Sequence, residues 1–358
     1  MPEPTPAAAP DQSPAPVKGT HEYREDPRNR DVLIYVNGEH APRDQAKVSV
    51  FDSGFVLGDG VWEGLRVHRG RYAFLDAHLD RLYEGAMALD LDIGMTREAL
   101  TAALYETLRV NGMTRAVDSL SDTESEAEPA EAPQVDSGAD AEADTHRTSD
   151  RDADKVHVRL MVTRGLKATP YQDPRVTIGP ATIVIIPEYK APDPAVLTRG
   201  IRLFTVHVRR GPADVQDPKL NSHSKLNCIL ACIQAAKAGA DEALMLDPQG
   251  FVATCNSTHF FIVRRGAVWT SSGDYCLGGI TRANVIALCR EHAIPVREGN
   301  FSLTDVYGAD ESFVTGTFAG VAPVVSVDGR TIGTGTRGPM TERLQSLYLQ
   351  LMDRECSA

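Results

Sequence analysis

Several features are scarce in this 358-residue sequence, and each scarcity closes off a class of protein. No apolar run approaches the ~18 residues of a membrane-crossing helix, so the expectation is a chain that does not span a membrane. Met1 to Val17 is rich in proline and alanine but lacks a basic start followed by an apolar core, and so does not read as a secretory signal. The six cysteines (Cys228, Cys232, Cys255, Cys276, Cys289, Cys356) show no metal-ligand spacing, and no metal site is expected. Cys228 and Cys232 fall one helical turn apart. All six read as reduced core residues of a cytoplasmic protein rather than as disulfides. No basic patch is interleaved with aromatics, which removes nucleic acid from the expected partners.

Acidity is plentiful, but it is local. The net charge is −12, and between Asp118 and Asp154 thirteen acidic residues meet two basic ones, leaving the rest of the chain near −1. Residues 116–154 are Ser, Asp, Glu, Ala, Pro and Thr with almost no aliphatics, which predicts a disordered acidic insertion in a surface loop. Residues 1–28, Pro/Ala-rich and then polar, are expected to form a disordered tail. The remainder is long and apolar enough for two domains with their own cores.

Periodicity divides that remainder into a small α/β domain at 29–187, a linker at 188–197 and a large domain at 198–358. Val32 to Val36 reads as a strand ending in the turn signal Asn37-Gly38. Val48 to Phe51 reads as a second strand. Glycines then precede an alternating strand through His68, and Arg69-Gly70 begins a tight turn. Leu79, Leu82, Ala86 and Leu89 repeat at helical spacing, and Thr96 is placed to cap a second helix running to Val110. Val156 to Thr163 alternates cleanly. Ala181 to Pro187 is a continuous apolar run and predicts a central strand. In the large domain, strands are expected at 242–246, 251–263, 267–270 and 312–317, and helices at 281–292 and 338–352. The result is an α+β fold of two unequal domains with a cleft between them.

Candidate chemistry centres on residues 217–235. An extended apolar run, Ile201 to Val208, comes before this stretch. Ile229, Leu230, Ile233 and Ala236 predict a helix within and after it, with Ser222 or Asn221 as N-cap. Lys219 and Lys225 flank the helix start. A lysine held at such a junction, with its pKa lowered by a pocket, meets the requirement for a nucleophile that forms a Schiff base with an aldehyde cofactor. Two solvated lysines at a helix N-terminus would give the same pattern.

The order of motifs resembles a known family. Gly58-Asp59-Gly60-Val61-Trp62-Glu63-Gly64-Leu65-Arg66 is followed by His78-Leu79-Asp80-Arg81-Leu82. Next come Ala238-Gly239-Ala240-Asp241-Glu242-Ala243-Leu244-Met245-Leu246-Asp247, then Leu277-Gly278-Gly279-Ile280-Thr281-Arg282 and Thr315-Gly316-Thr317. In this order and spacing they resemble the class IV, fold-type IV pyridoxal-phosphate enzymes: branched-chain and D-amino acid aminotransferases and aminodeoxychorismate lyases. The resemblance covers about residues 31–352, apart from the insertion. It implies a two-domain architecture with pyridoxal 5′-phosphate in the large domain, a homodimer, and amino and keto acids as substrates. Arg81, Ile280, Thr281 and Thr317 match the phosphate-binding positions, and Gly278-Gly279 before a helix start suits an anion. Arg66, Trp62 and Phe318 fall on the substrate side, Arg66 for a carboxylate and Trp62 as a wall.

The chain departs from the family pattern at two places, the ring-nitrogen contact and the catalytic lysine. Thr254 stands where the resemblance calls for a glutamate at the pyridine nitrogen, and His259 replaces a neighbouring asparagine. An ungapped count back from Glu242 places Asn221 at the catalytic lysine, which leaves Lys225, Lys219 or neither to form the Schiff base. An aminotransferase is the first expectation, with a branched-chain-like donor. A lyase on the same fold is the second. The third is a binding protein that keeps the phosphate site without catalysis.

Overall fold

The computed structural model describes residues 19–21, 25–114 and 156–357. The acidic insertion at 116–154 and most of the N-terminal tail lie outside the described residues. Within the tail, Pro27–Arg30 forms a 3-10 turn capped by Asp26, and Thr20 donates a hydrogen bond to buried Glu242.

The small domain is a six-stranded antiparallel sheet, β1 (Leu33–Val36), β2 (Glu39–Pro42), β3 (Gly60–His68), β4 (Arg71–Tyr72), β5 (Val156–Thr163) and β6 (Thr182–Tyr189), in the order β2-β1-β6-β5-β3-β4. The strand expected at 48–51 is absent, and Val48, Val50 and Phe51 are exposed. Asn37 and Gly38 both take positive φ, 50° and 102°, so the chain reverses in two residues and the return strand begins at once with Glu39. β6 is central as expected, between β1 and β5, but only alternate residues are buried. One face of this sheet packs on α2 (Leu75–Ala88) and α3 (Arg97–Val110), reached after the short α1 (Ser53–Leu57). Leu65, Val67, Val158, Leu160 and Ile185 meet Leu79, Leu82, Leu100, Leu104 and Leu108 there. Thr96 caps α3 as expected, its Oγ1 accepting from Ala99 N at 3.2 Å.

The sequence between the sheets shortens to residues 190–193, since β6 runs to Tyr189 and α4 (Pro194–Arg199) follows. The large domain is a nine-stranded mixed sheet. Its members are β7 (Ile201–Thr205), β8 (Glu242–Leu246), β9 (Val252–Cys255), β10 (His259–Arg264), β11 (Ala267–Thr270), β12 (Val296–Glu298), β13 (Glu311–Gly316), β14 (Gly320–Val327) and β15 (Arg330–Thr331). Helices α5 (Ala213–Gln216), α6 (Leu226–Lys237), α7 (Ile280–Glu291), α8 (Leu303–Tyr307) and α9 (Pro339–Glu355) complete it. α4 and α8 cover one core and α7 and α9 another, so this sheet is buried on both faces.

The helix at the candidate chemistry differs from expectation. Lys225, not Asn221 or Ser222, is the N-cap of α6, and no side chain caps it. Residues 221–223 are instead drawn alongside β3: Trp62 N donates to Asn221 O at 3.0 Å and His223 N to Gly60 O at 2.9 Å. A chain paired as an extended edge cannot also enter a helix. The buried residues of α6 are Ala231 and Ala235, while Ile229, Leu230 and Ile233 are exposed. Cys232 is exposed and Cys228 half-buried, unlike the four other cysteines, which are buried; all six are free. The reason is that this face of α6 turns away from the core.

One polar group is set into the small domain's core face. Val61, Glu63, Leu65 and Val67 alternate inward on β3, and Glu63 is fully buried. Arg81 on α2 donates to both its oxygens, Nε to Oε1 at 2.8 Å and Nη2 to Oε2 at 2.6 Å, and His78 Nδ1 lies 2.7 Å from Oε2. Burial alone would raise the Glu63 carboxyl pKa, but the hydrogen bonds from Arg81 and His78 outweigh it and hold the group below its ordinary 4.5. The pair therefore stabilises the fold above that value, and the contribution is lost as pH falls through the lower folded-state value. Glu63→Ala leaves a buried arginine contact unmatched and is expected to cost about 3–5 kcal/mol in urea unfolding. Glu63→Gln is expected to flatten the acid limb of the stability profile; an unchanged limb in that variant would show that Glu63 does not carry it.

Candidate active site

Where the N-terminal end of α6 meets β3, a cavity of about 230 Å³ opens between the domains. Trp62, Asn221, Lys225, Thr254 and His259 line it, with Arg210 and Cys228. Lys225 Nζ donates to Asn221 Oδ1 at 3.1 Å and lies 5.3 Å from the Trp62 ring centroid. Burial lowers its pKa to about 8; Arg210 and Arg81 push the same way, while Cys228 and Glu63 oppose. Lys219 is exposed and lines none of the described cavities; its backbone N–H donates to Asp217 Oδ1 at 2.9 Å. The structure thus separates the two lysines and puts only Lys225 at the cavity wall.

Asn221 is 5% exposed, and its amide is engaged at both ends. Nδ2 donates to Trp62 O at 2.6 Å and approaches Glu63 Oε1 at 3.4 Å, while Oδ1 receives Lys225. Trp62 is fixed by Nε1 donating to Ser222 O at 3.1 Å. Thr254 is buried, and its hydroxyl donates to Thr258 O at 2.9 Å. Its proton is committed to the β9–β10 turn, so toward the cavity it offers an uncharged acceptor.

The phosphate candidates gather at the start of α7. Gly279 is its N-cap and no side chain caps the first turn. The amides of Ile280 and Thr281 therefore begin a twelve-residue helix whose dipole favours an anion. Arg81 Nη1 donates to Gly278 O at 2.7 Å, which brings the guanidinium to this helix start while Nε and Nη2 stay on Glu63. Thr281 is buried with Oγ1 3.4 Å from Tyr348 OH. His259 lies against the same turn: a Cβ on Gly279 would sit 2.3 Å from its Nε2, so only glycine admits the ring. Burial, with Arg282, Arg81 and Arg210 nearby, lowers the His259 pKa to about 3, so the imidazole is neutral. Its buried Nδ1 has no hydrogen-bond partner among the described residues. An uncapped helix start, an arginine and an orphaned buried imidazole nitrogen suit a phosphate-bearing cofactor at this end.

Thr317 and Phe318 line a smaller adjoining space of about 90 Å³, together with Trp62, Arg81, His157 and Arg159. Phe318 is buried, with the His21 ring stacked on it at 5.1 Å and Lys190 Nζ 5.1 Å from its centroid. Arg66 is not brought here. It lines a separate cavity with Tyr348 and Gly320, and its Nη1 reaches Phe318 O at 3.5 Å.

Three side chains of the site escaped the reading of the sequence. Arg159 stacks on Trp62 with Cζ 4.1 Å from the ring centroid. The signal was present, since alternation along β5 puts His157, Arg159 and Met161 on the face opposite the core. Glu63 was signalled by a charge on the inward phase of an otherwise apolar strand. Arg210, which lines the cavity from the loop before α5, carried no signal because its position depends on how that loop folds back.

Residues 60–327 match the profile of the amino-transferase class IV family. A putative branched-chain-amino-acid aminotransferase of Methanocaldococcus jannaschii is 39% identical over 319 residues, 88% of this chain and 95% of that protein. Branched-chain-amino-acid aminotransferase-like protein 2 of Arabidopsis thaliana is 38% identical over 329 residues, 91% of this chain; the chain spans about half, 51%, of that relative's length. Among solved structures, a T.th. branched-chain amino acid aminotransferase with pyridoxamine 5′-phosphate superposes with a TM-score of 0.75 at 30% identity, covering 90% of this chain and 95% of that one. In family, in two-domain fold type IV architecture and in the pyridoxal-phosphate dependence of that family, the chain belongs to the class IV aminotransferases.

Proposed function

We propose that the protein is a pyridoxal-phosphate-dependent aminotransferase, moving an amino group between a branched-chain-like amino acid and a 2-keto acid. One observation carries this reading: a lysine amine at the cavity wall, Lys225, with its pKa drawn down to about 8. At neutral pH such an amine is neutral about a tenth of the time, against roughly a thousandth or less for an ordinary lysine. Bound pyridoxal phosphate supplies an aldehyde and an electron-withdrawing ring. Arg81, the first amides of α7 and Thr317 would hold its phosphate. Lys225 Nζ would be the base that takes the proton from the substrate Cα. Trp62 walls the pocket and holds Arg159 against its face. Arg159 borders the smaller space beside Phe318 and is better placed than Arg66 to take a substrate carboxylate. The branched-chain preference rests on the names of the relatives.

Thr254 weighs toward slow turnover. No aspartate or glutamate is among the described residues lining the larger cavity, so no negative charge supports a protonated ring nitrogen. The same observation favours the alternative of a protein that binds the cofactor without turning it over. Cytoplasmic residence would keep the six free cysteines reduced.

We also propose a homodimer. Leu226, 66% exposed, begins an apolar stripe with Ile229, Leu230 and Ile233 along α6. Phe55, 70% exposed, stands nearby on α1, whose end meets the start of α6 where Ser224 Oγ donates to Gly58 O at 3.2 Å. A second copy covering this face would bury side chains that a monomer leaves in water.

Reduction of the purified protein with borohydride is expected to leave a phosphopyridoxyl group on Lys225, mapped by peptide mass spectrometry. Its rate of formation should rise with pH through about 8, and Lys225→Ala should abolish it. Cofactor retained without any lysine adduct would sink the aminotransferase reading and leave the binding protein. Sedimentation is expected to give twice the chain mass, falling to the single-chain mass in Leu226→Asp/Ile229→Asp; a wild-type monomer would refute the dimer.

A further inference from the structure

We infer that Asn221 is a positioning residue for Lys225: its side-chain amide, locked to β3, holds the lysine nitrogen at the cavity wall. This rests on the reading of Lys225 as the reactive amine and goes beyond it, because a lysine on the last residue before a helix is otherwise a four-carbon stem free to swing.

Hydrogen-bond chemistry fixes which way the amide faces. The Trp62 carbonyl and the Glu63 carboxylate are acceptors, so the NH₂ end of Asn221 must face them, at 2.6 and 3.4 Å. That leaves Oδ1 as the only end for Lys225 Nζ, which donates to it at 3.1 Å. A flipped amide would set Nδ2 against the lysine hydrogens and leave Trp62 O facing another oxygen. The backbone is held as well, by Trp62 N donating to Asn221 O at 3.0 Å. The holder is therefore fixed through both its backbone and its side chain, as positioning requires.

The same contact influences the proton on Nζ. Oδ1 is an uncharged acceptor that favours the ammonium mildly. The charged or titratable groups around Lys225 are Glu63 on β3, Arg81 on α2, Arg210 from the loop before α5, His223 in the segment before α6, Cys228 on α6 and, across the cavity, His259 on β10. The Glu63 carboxylate is occupied by Arg81 and His78, so Asn221 stands between it and the lysine as a neutral spacer. A carboxylate at 221 would replace the spacer with a direct ion pair.

The test uses the full-length chain, wild type and the variants Asn221→Asp and Asn221→Leu, with Lys219 as the internal control. Amines are labelled with acetic anhydride across a pH series without added cofactor, and labelling at each lysine is quantified by peptide mass spectrometry. The Lys225 midpoint is expected near 8 in the wild type, about one to three pH units higher in Asn221→Asp and lower in Asn221→Leu, with the exposed Lys219 unchanged. In parallel, borohydride trapping of added pyridoxal phosphate on Lys225 should slow about 10- to 100-fold in Asn221→Leu. Folded variants with the wild-type Lys225 midpoint and trapping rate overturn the proposal. If Asn221→Leu fails to fold, the midpoint in Asn221→Asp decides it. If the wild type forms no adduct, the functional reading falls, and the midpoints alone decide the role of Asn221.

Discussion

A carboxylate with no access to water lies at the centre of this molecule, and the candidate site is arranged around its need for partners. Glu63 points into the core face of the small domain's sheet, where an unpaired charge would cost several kcal/mol. Arg81, His78 and Asn221 answer that need from α2 and from the segment before α6. Each then has a second task. Arg81 reaches across to Gly278 at the start of α7, and Asn221 presents its other end to Lys225. One buried charge thereby joins the start of α7 to the Lys225 amine.

The cleft exists because the two sheets meet their cores differently. The large domain's sheet is covered on both faces, whereas the small domain's is covered on one. The outer phase of β3 and β5 places Trp62, Arg66, His157 and Arg159 opposite the core. Trp62 takes part in both of the adjoining cavities, with Arg159 on its ring and Lys225 nearby. Arg66, on the same face, is carried past the cleft to the neighbourhood of Tyr348.

The two departures from the family pattern have different physical weights. Position 221 lacks a lysine, but an amine stands beside it, since the turn before α6 brings Lys225 Nζ back to the Asn221 side chain. Thr254 is not compensated in that way: its hydroxyl is spent on the β9–β10 turn, and the charged side chains lining the larger cavity, Arg210 and Lys225, are cationic.

The sequence by itself determined the elements whose signals are local. Alternation marked β3 and β5, Asn37-Gly38 marked a hairpin, Thr96 marked a helix start, and the motif order marked the family. Those signals depend on neighbours within a few residues, which the chain carries with it. Only the tertiary structure decided the rest. Residues 221–223 could not be read as extended, because the β3 edge that holds them lies some 160 positions away. The apolar stripe of α6 has the spacing of a buried face, yet it points to solvent, since periodicity gives a face and not what covers it. The different surroundings of Lys219 and Lys225 were hidden for the same reason: they arise through contacts made by Trp62, Asn221 and Arg210, and burial of that kind is a property of the fold.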